Sequence, residues 1–245
     1  MGETFVGIGG WNYEPWEEHF YPSDLKKKEQ LRYAASRLSS IEINATYYRS
    51  QKPSTFAGWA ESVPDGFRFS LKASRFATNR RELAEAGESV AKVMEQGFTE
   101  LGNKLGPIVW QFATSKQFDA DDMAAFIKLL PTKVDDKDIQ HAFEVRHESF
   151  ANAVFERLMK DAGFAVVLAE DSEHPRIDMD TADFRYVRLM GTQAQEPAGY
   201  TGQQLDSITA KVESWTAKGE AYAYFIAGAK ERNPAAAMAL IERLN

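Results

Sequence analysis

Ile41-Glu42-Ile43-Asn44-Ala45-Thr46-Tyr47-Tyr48-Arg49 begins as a buried strand and ends as a different kind of segment. Ile41 and Ile43 are β-branched and suit a pleated, packed surface. Glu42 and Asn44 alternate with them, so both polar side chains fall on one face of the strand. A carboxylate and an amide at a strand end, followed by two tyrosines and an arginine, make poor packing material and good site material.

Working outward, strands and helical segments alternate along the whole chain. Thr4 to Gly10 reads as a first strand ending in glycines, and an aromatic loop from Trp11 to Asp24 follows it. Phe67 to Ser74, Ile108 to Phe112 and Ala142 to His147 read as the third, fourth and fifth strands. Phe164 to Asp171 is a sixth, with the continuous apolar run of a parallel strand covered on both faces. Tyr186 to Met190 and Ala221 to Ala227 complete the set, each closed by a glycine. Apolar residues at helical spacing mark the connections: Phe56, Trp59 and Val63; Met123, Phe126 and Leu130; Phe155 and Met159; Leu205, Ile208 and Val212. Arg80 to Leu105 is expected to form one long helix with Val90, Met94, Phe98 and Leu101 on its inner stripe. Ser172 to Asp183 is too short and polar for a full helix. The pattern predicts an α/β fold, a single (β/α)8 TIM-type barrel over residues 1–245 with a short or missing helix between strands six and seven. An open doubly wound sheet is the competitor, but no Gly-x-Gly-x-x-Gly stands at the first turn. No cofactor is assigned.

The 245 residues suffice for one such barrel, and 44% hydrophobic with 12% aromatic residues can fill its core. A net charge of −7 disfavours general attraction to nucleic acid or anionic membrane. No cysteine is present, which removes disulfides and thiolate metal sites and fits a cytoplasmic location. No apolar run approaches the ~18 residues of a membrane span, and Met1 to Tyr21 lacks the pattern of a signal peptide. Oligomeric state is left unassigned.

In a barrel of this type the chemistry sits at the C-terminal ends of the strands. Here those ends carry Glu42 and Asn44, Lys72, Gln111, Glu144 with Arg146 and His147, Glu170 and Asp171, and Arg188. Charge at a barrel end is costly unless it pairs or binds something. A purely structural network, such as Glu42 with Arg188 or Glu144 with Lys72, is the plain alternative to a site. Lys72, Arg146, Arg188 and Arg49 weigh the balance toward an anionic ligand, since arginine forks suit phosphate or carboxylate. Gly191-Thr192 and Gly228 stand where many barrels hold phosphate on backbone N–H groups. Trp11 and Tyr47 are candidates to stack on a ligand, whereas Trp16, Phe20 and Tyr21 are expected to pack the loop.

Taken together, the motifs resemble the DUF72 (YecE-like) family. The resembling blocks are Gly7-Ile8-Gly9-Gly10-Trp11-Asn12-Tyr13, Glu42-Ile43-Asn44 with Thr46-Tyr47-Tyr48-Arg49, Phe69-Ser70-Leu71-Lys72, Leu105-Gly106-Pro107 with Gln111-Phe112, Glu144-Val145-Arg146-His147 and Tyr186-Val187-Arg188. The resemblance implies a TIM-type barrel, no assigned activity, and a site on Glu42, Asn44, Lys72, Glu144, Arg146 and Arg188. The chain departs from the family pattern at Gly9, where serine is usual. It departs again at Asn79 and Met190 in place of histidines, Phe150 in place of tryptophan, and Ile226-Ala227 in place of two asparagines.

Three functions follow. The first is an enzyme or binding protein for a phosphorylated or otherwise anionic small molecule. Arg146, Arg188 and Lys72 hold the anion, Glu144 or Glu42 serves as general base, and Asn44, Arg49, Gln111, Trp11 and Tyr47 line the ligand. Lys72 has a Schiff base as its alternative role. The second is metal-assisted phosphodiester hydrolysis on Glu42, Glu144, Asp171 and His147, although the predicted site set itself includes no metal ligand. The third is a nucleic-acid module using a basic rim of Arg49, Lys52, Arg75, Arg80 and Arg81, which the net acidity disfavours. A glycosidase fares worse, because strands four and seven end in Gln111 and Arg188 rather than acids.

Overall fold

Eight parallel strands form the framework of the computed structural model, which describes residues 2–170 and 172–245. They are β1 (Thr4–Gly9), β2 (Ser40–Ile43), β3 (Arg68–Lys72), β4 (Leu105–Gln111), β5 (His141–Glu144), β6 (Ala165–Val166, continuing as Leu168–Glu170), β7 (Phe184–Leu189) and β8 (Glu220–Phe225). Each pairs with its neighbours in chain order, and β1 pairs with both β2 and β8. Closure falls at β6. Its first half pairs with β5 through Ala142 and Ala165, its second with β7 through Val187 and Leu168. Between the halves the Val167 N–H donates to the Phe143 carbonyl at 2.9 Å, so the two pieces run on as one strand. Counting them separately makes nine sheet segments, whose order begins and ends on β6.

Period-two alternation gives the barrel an inner and an outer surface. Phe5, Val109, Ala142, Val167, Tyr186, Tyr222 and Tyr224 form the inner cluster, whereas Ile8, Ile41, Ile43, Phe69, Phe143 and Leu189 belong to the larger cluster shared with the helices. The interior is filled unevenly. β7 and β8 supply tyrosines, and the strands β1, β2 and β3 supply Gly7, Ser40 and Ser70. The Tyr224 hydroxyl lies 2.6 Å from Ser40 Oγ, and the Tyr186 hydroxyl 2.9 Å from Ser70 Oγ. Large side chains on some strands thus need small ones on others, and each phenol needs a polar partner once buried.

The helices follow the apolar spacing at Pro53–Glu61, Ala120–Leu129, Ala153–Ala162, Gly202–Thr216 and Asn233–Leu244. The Asp119 side chain caps the second of these, accepting the Asp122 N–H. Ser172 to Asp183 forms no helix. The long helix expected over Arg80 to Leu105 does not form. The segment breaks into a 3-10 turn at Leu83–Ala86, a helix at Gly87–Met94 and a second 3-10 stretch at Phe98–Lys104. Gly97 (φ 86°) and Gly102 (φ 61°) take left-handed backbone that ends a right-handed helix. Pro53 also packs so close that a Cβ on Gly97 would lie 2.6 Å from its ring. The predicted stripe of Val90, Met94, Phe98 and Leu101 is nevertheless buried.

Two glycines of β1 separate packing from loop chemistry. A Cβ on Gly7 would lie 1.9 Å from the Ser40 carbonyl oxygen, whereas one on Gly9 would meet only the Asn44 side-chain amide at 3.1 Å and Ile226 at 3.5 Å. Gly7→Ala is expected to lose about 3 kcal/mol or more in urea unfolding, and Gly9→Ser less than about 1 kcal/mol. Equal losses would contradict this packing account.

Candidate functional site

Arg188, near the end of β7, stands between two carboxylates from other strands. Its Nη2 donates to Glu42 Oε1 of β2 at 2.9 Å, and its Nη1 to Glu144 Oε2 of β5 at 2.7 Å. All three are buried, Arg188 with 3% exposure. The second Glu42 oxygen accepts the Tyr186 hydroxyl at 2.7 Å. Glu144 also accepts Gln111 Nε2 at 2.7 Å and both Nε and Nη2 of Arg146, at 2.9 and 2.6 Å. Every carboxylate oxygen of the pair is therefore bonded. Burial alone would push the Glu144 carboxyl up, but Arg188, Arg146 and Lys72 outweigh it and hold it down at about 2. Burial likewise opposes the Arg188 charge, and Glu144 and Glu42 reverse that and raise its pKa. Burial and the neighbouring Glu42 push the Tyr186 phenol well up, so it stays a donor.

Lys72 closes the chain of contacts. Its Nζ donates to Gln111 Oε1 at 3.0 Å and sits 4.3 Å from the centre of the Tyr47 ring. Burial, then the charge of Arg188, lowers its pKa to about 8 against the pull of Glu42 and Glu144.

Above this layer opens a cavity of about 780 Å3 at the C-terminal mouth of the barrel. Five cations line it: Arg49, Lys72, Arg146, Arg188 and Lys230. No carboxylate is among the described residues that line it. Trp11, Asn44 and Gln111 also face it, whereas Tyr47 lies beneath Lys72 rather than on the wall. The structure therefore brings Glu42, Lys72, Gln111, Glu144, Arg146 and Arg188 into one bonded cluster, with Asn44, Arg49 and Trp11 on the rim above.

Other residues are placed elsewhere. His147 caps the turn at Glu148–Phe150, accepting the Ser149 N–H on Nδ1 at 3.1 Å. Glu170 pairs with Arg176 and Lys211, away from the mouth. Asp171 lies outside the described residues. Among the described residues no group of three or more His, Cys, Asp or Glu stands together as a metal site. The Gly191 N–H, expected to be a phosphate donor, instead bonds the Tyr200 hydroxyl at 2.9 Å. Arg80 holds its own loop through the Phe76 and Glu85 carbonyls and Ser89. Trp16, Phe20 and Tyr21 are buried as loop packing.

Sequence reasoning missed Lys230 and Trp59. Lys230 lies over the Tyr13 ring at 4.1 Å, and its backbone carbonyl accepts Trp16 Nε1 at 2.8 Å. The clue was its place just after Gly228, in the loop that follows β8. Trp59 stands edge-on to Trp11 at 5.5 Å; its helical spacing marked it as core.

These features define the class: a (β/α)8 barrel with a buried carboxylate–guanidinium layer beneath an electropositive mouth. The chain belongs to the family described as protein of unknown function DUF72, whose model matches residues 5–245. Among solved structures it is similar to a DUF72 family protein from Thermotoga maritima, at TM-score 0.78 and 20% identity over 99% of this chain and 98% of that one. A DUF72 family protein from Enterococcus faecalis aligns at TM-score 0.72 and 16% identity, over 100% and 99% of the two chains. A sugar phosphate isomerase/epimerase from Parabacteroides distasonis shares the barrel at TM-score 0.52 and 11% identity, over 98% and 92%. At these identities the likeness is one of fold. No curated protein matches the sequence.

Removing the guanidinium would leave Glu42 and Glu144 buried and facing each other. Arg188→Met is expected to cost about 3–5 kcal/mol in chemical unfolding; a loss below about 1 kcal/mol would contradict the role given to this layer. Because the folded Glu144 pKa is depressed, its contribution is fully present above the ordinary value of 4.5 and disappears as pH falls toward 2. Its carboxyl 13C shift should therefore still report the ionised form at pH 4, and a midpoint near 4.5 would refute the assignment.

Proposed function

We propose that this protein takes a phosphorylated or otherwise anionic small molecule at the C-terminal mouth of its barrel, as an enzyme or as a binding protein. The supporting observation is the lining of the cavity: five cations and, among the described residues, no carboxylate. The chain as a whole carries −7, so this local excess of positive charge runs against its composition. In this reading Glu42 and Glu144 are counter-charges for the arginines, not general bases. All their oxygens accept hydrogen bonds, and neither is on the cavity wall. Arg146, Lys72 and Lys230 present the donors, Arg49 and Asn44 stand at the rim, and Trp11 with Trp59 forms an aromatic side wall.

Titration calorimetry at low salt with inorganic phosphate, pyrophosphate and ribose 5-phosphate tests the reading. At least one should bind, and added salt should weaken it. Lys230 makes no ion pair with any described residue, so Lys230→Met removes one donor without stranding a carboxylate. It should weaken binding ~10-fold, the worth of one charge-assisted hydrogen bond. No heat with any of the three at millimolar concentration would end the proposal.

A further inference from the structure

The cations of the mouth are not equivalent. Arg188 and Arg146 take both buried glutamates. Lys72, 7% exposed at the cavity floor, makes no ion pair with any described residue; its one hydrogen-bond acceptor is the Gln111 amide. Gln111 turns its Nε2 to Glu144 and its Oε1 to Lys72, so a neutral group separates the amine from that carboxylate. A carboxylate in that position would hold the lysine permanently charged. An amide bonds the ammonium yet lets the neutral amine remain.

We propose that Lys72 is an imine-forming amine, and that the anion admitted by the mouth carries an aldehyde or ketone. This inference rests on the anion reading and names the chemical class of its ligand. The Nζ lone pair adds to the carbonyl carbon, and the carbonyl π pair moves to oxygen. The resulting hydroxyl leaves with a proton as water, and the C=N bond forms. Amine and carbonyl thus give imine and water, with no oxidant or reductant. Arg146 and Lys230 are placed to hold the anionic end while the carbonyl reaches Nζ.

The groups facing Nζ act in both directions. Arg188 of β7 and Arg146 beyond β5 disfavour the ammonium, while Glu42 of β2, Glu144 of β5 and the Tyr47 ring favour it. With burial added, the balance lies at about 8, against 10.5 for an ordinary lysine. At pH 7 the free-amine fraction is then ~300-fold above that of a surface lysine. Lys230, on the same cavity, serves as an internal control, because burial alone lowers its pKa.

The experiment treats the intact protein at pH 7 with glyceraldehyde 3-phosphate and sodium cyanoborohydride, which reduces an imine to a stable secondary amine. Peptide mass mapping then locates the adduct. Labelling should concentrate on Lys72, rise through a midpoint near pH 8, and be blocked by inorganic phosphate. Labelling spread over surface lysines, or centred on Lys230, would overturn the proposal. If phosphate binds by calorimetry but Lys72 stays unlabelled, the amine chemistry falls and the anion reading stands. If glyceraldehyde without the phosphate labels Lys72 equally well and phosphate gives no protection, the amine survives and the anion reading falls.

Discussion

A guanidinium buried between two carboxylates is the constraint on which this barrel is built. Taking Arg188, Glu42 and Glu144 out of water is costly, and their attraction repays the cost only when every remaining polar atom is satisfied. The surroundings come close to doing so. The Tyr186 phenol, the Gln111 amide and Arg146 complete the two carboxylates, and among the described residues only Nε of Arg188 lacks a partner at this centre. The three charges come from β2, β5 and β7, so the cluster ties together strands far apart in the chain. A register slip by one residue in any of them would turn a charge outward into the helix layer.

The layer below follows from the same requirement. Tyr186 reaches Glu42 from β7, and its ring lies within the barrel beside Tyr224 and Tyr222. Three phenol rings from β7 and β8 fill much of the cylinder, and β1, β2 and β3 must leave room for them. Gly7, Ser40 and Ser70 meet that need, with the two serines also serving as partners for the phenols. The interior is thus a scaffold that presents its charged layer at one height. The mouth above inherits its sign from this arrangement: the acids are below and neutralised, and the cations above are left in excess.

The fold was legible in the sequence because its strands alternate with helical spacing over nearly the whole chain and because polar residues cluster at their ends. Glu42, Lys72, Gln111, Glu144, Arg146 and Arg188 could be grouped from period-two phase and strand end alone. The pairing could be read only in part: Glu42 with Arg188 is an expected pair that forms, whereas Glu144, expected beside Lys72, takes Arg188 and Arg146 instead. Phase puts Glu144 beside Arg146, but the contact between Arg188 and both Glu42 and Glu144 spans 146 and 44 residues and depends on closure of the barrel. The long helix failed for a local reason: Gly97 and Gly102 break it, yet its apolar stripe stays buried, Val90 and Met94 on a short helix and Phe98 and Leu101 on a 3-10 stretch. Lys230 escaped notice because a lysine in a polar loop resembles solvated surface until the aromatic loop after β1 folds over it.

The rim carries strain that the same logic explains. Ala227 holds φ 62° directly before Gly228 at φ 57°, a left-handed pair that costs a residue with a Cβ roughly 1–2 kcal/mol. Thr192, in the loop after β7, holds this turn: its hydroxyl lies within reach of the Ala227 and Ala229 carbonyls and of Asn233, and its carbonyl accepts the Ala229 N–H at 2.8 Å. A Cβ on Gly228 would lie 2.6 Å from that hydroxyl, so the turn admits no other residue there without moving the loop. The strained turn leads directly to Lys230 and helps fix it over the Tyr13 ring at the cavity edge. Backbone strain here sets the position of a cation, just as the neighbouring cations beneath it set the charge of a carboxylate. In both places stability is given up to hold positive charge at the mouth.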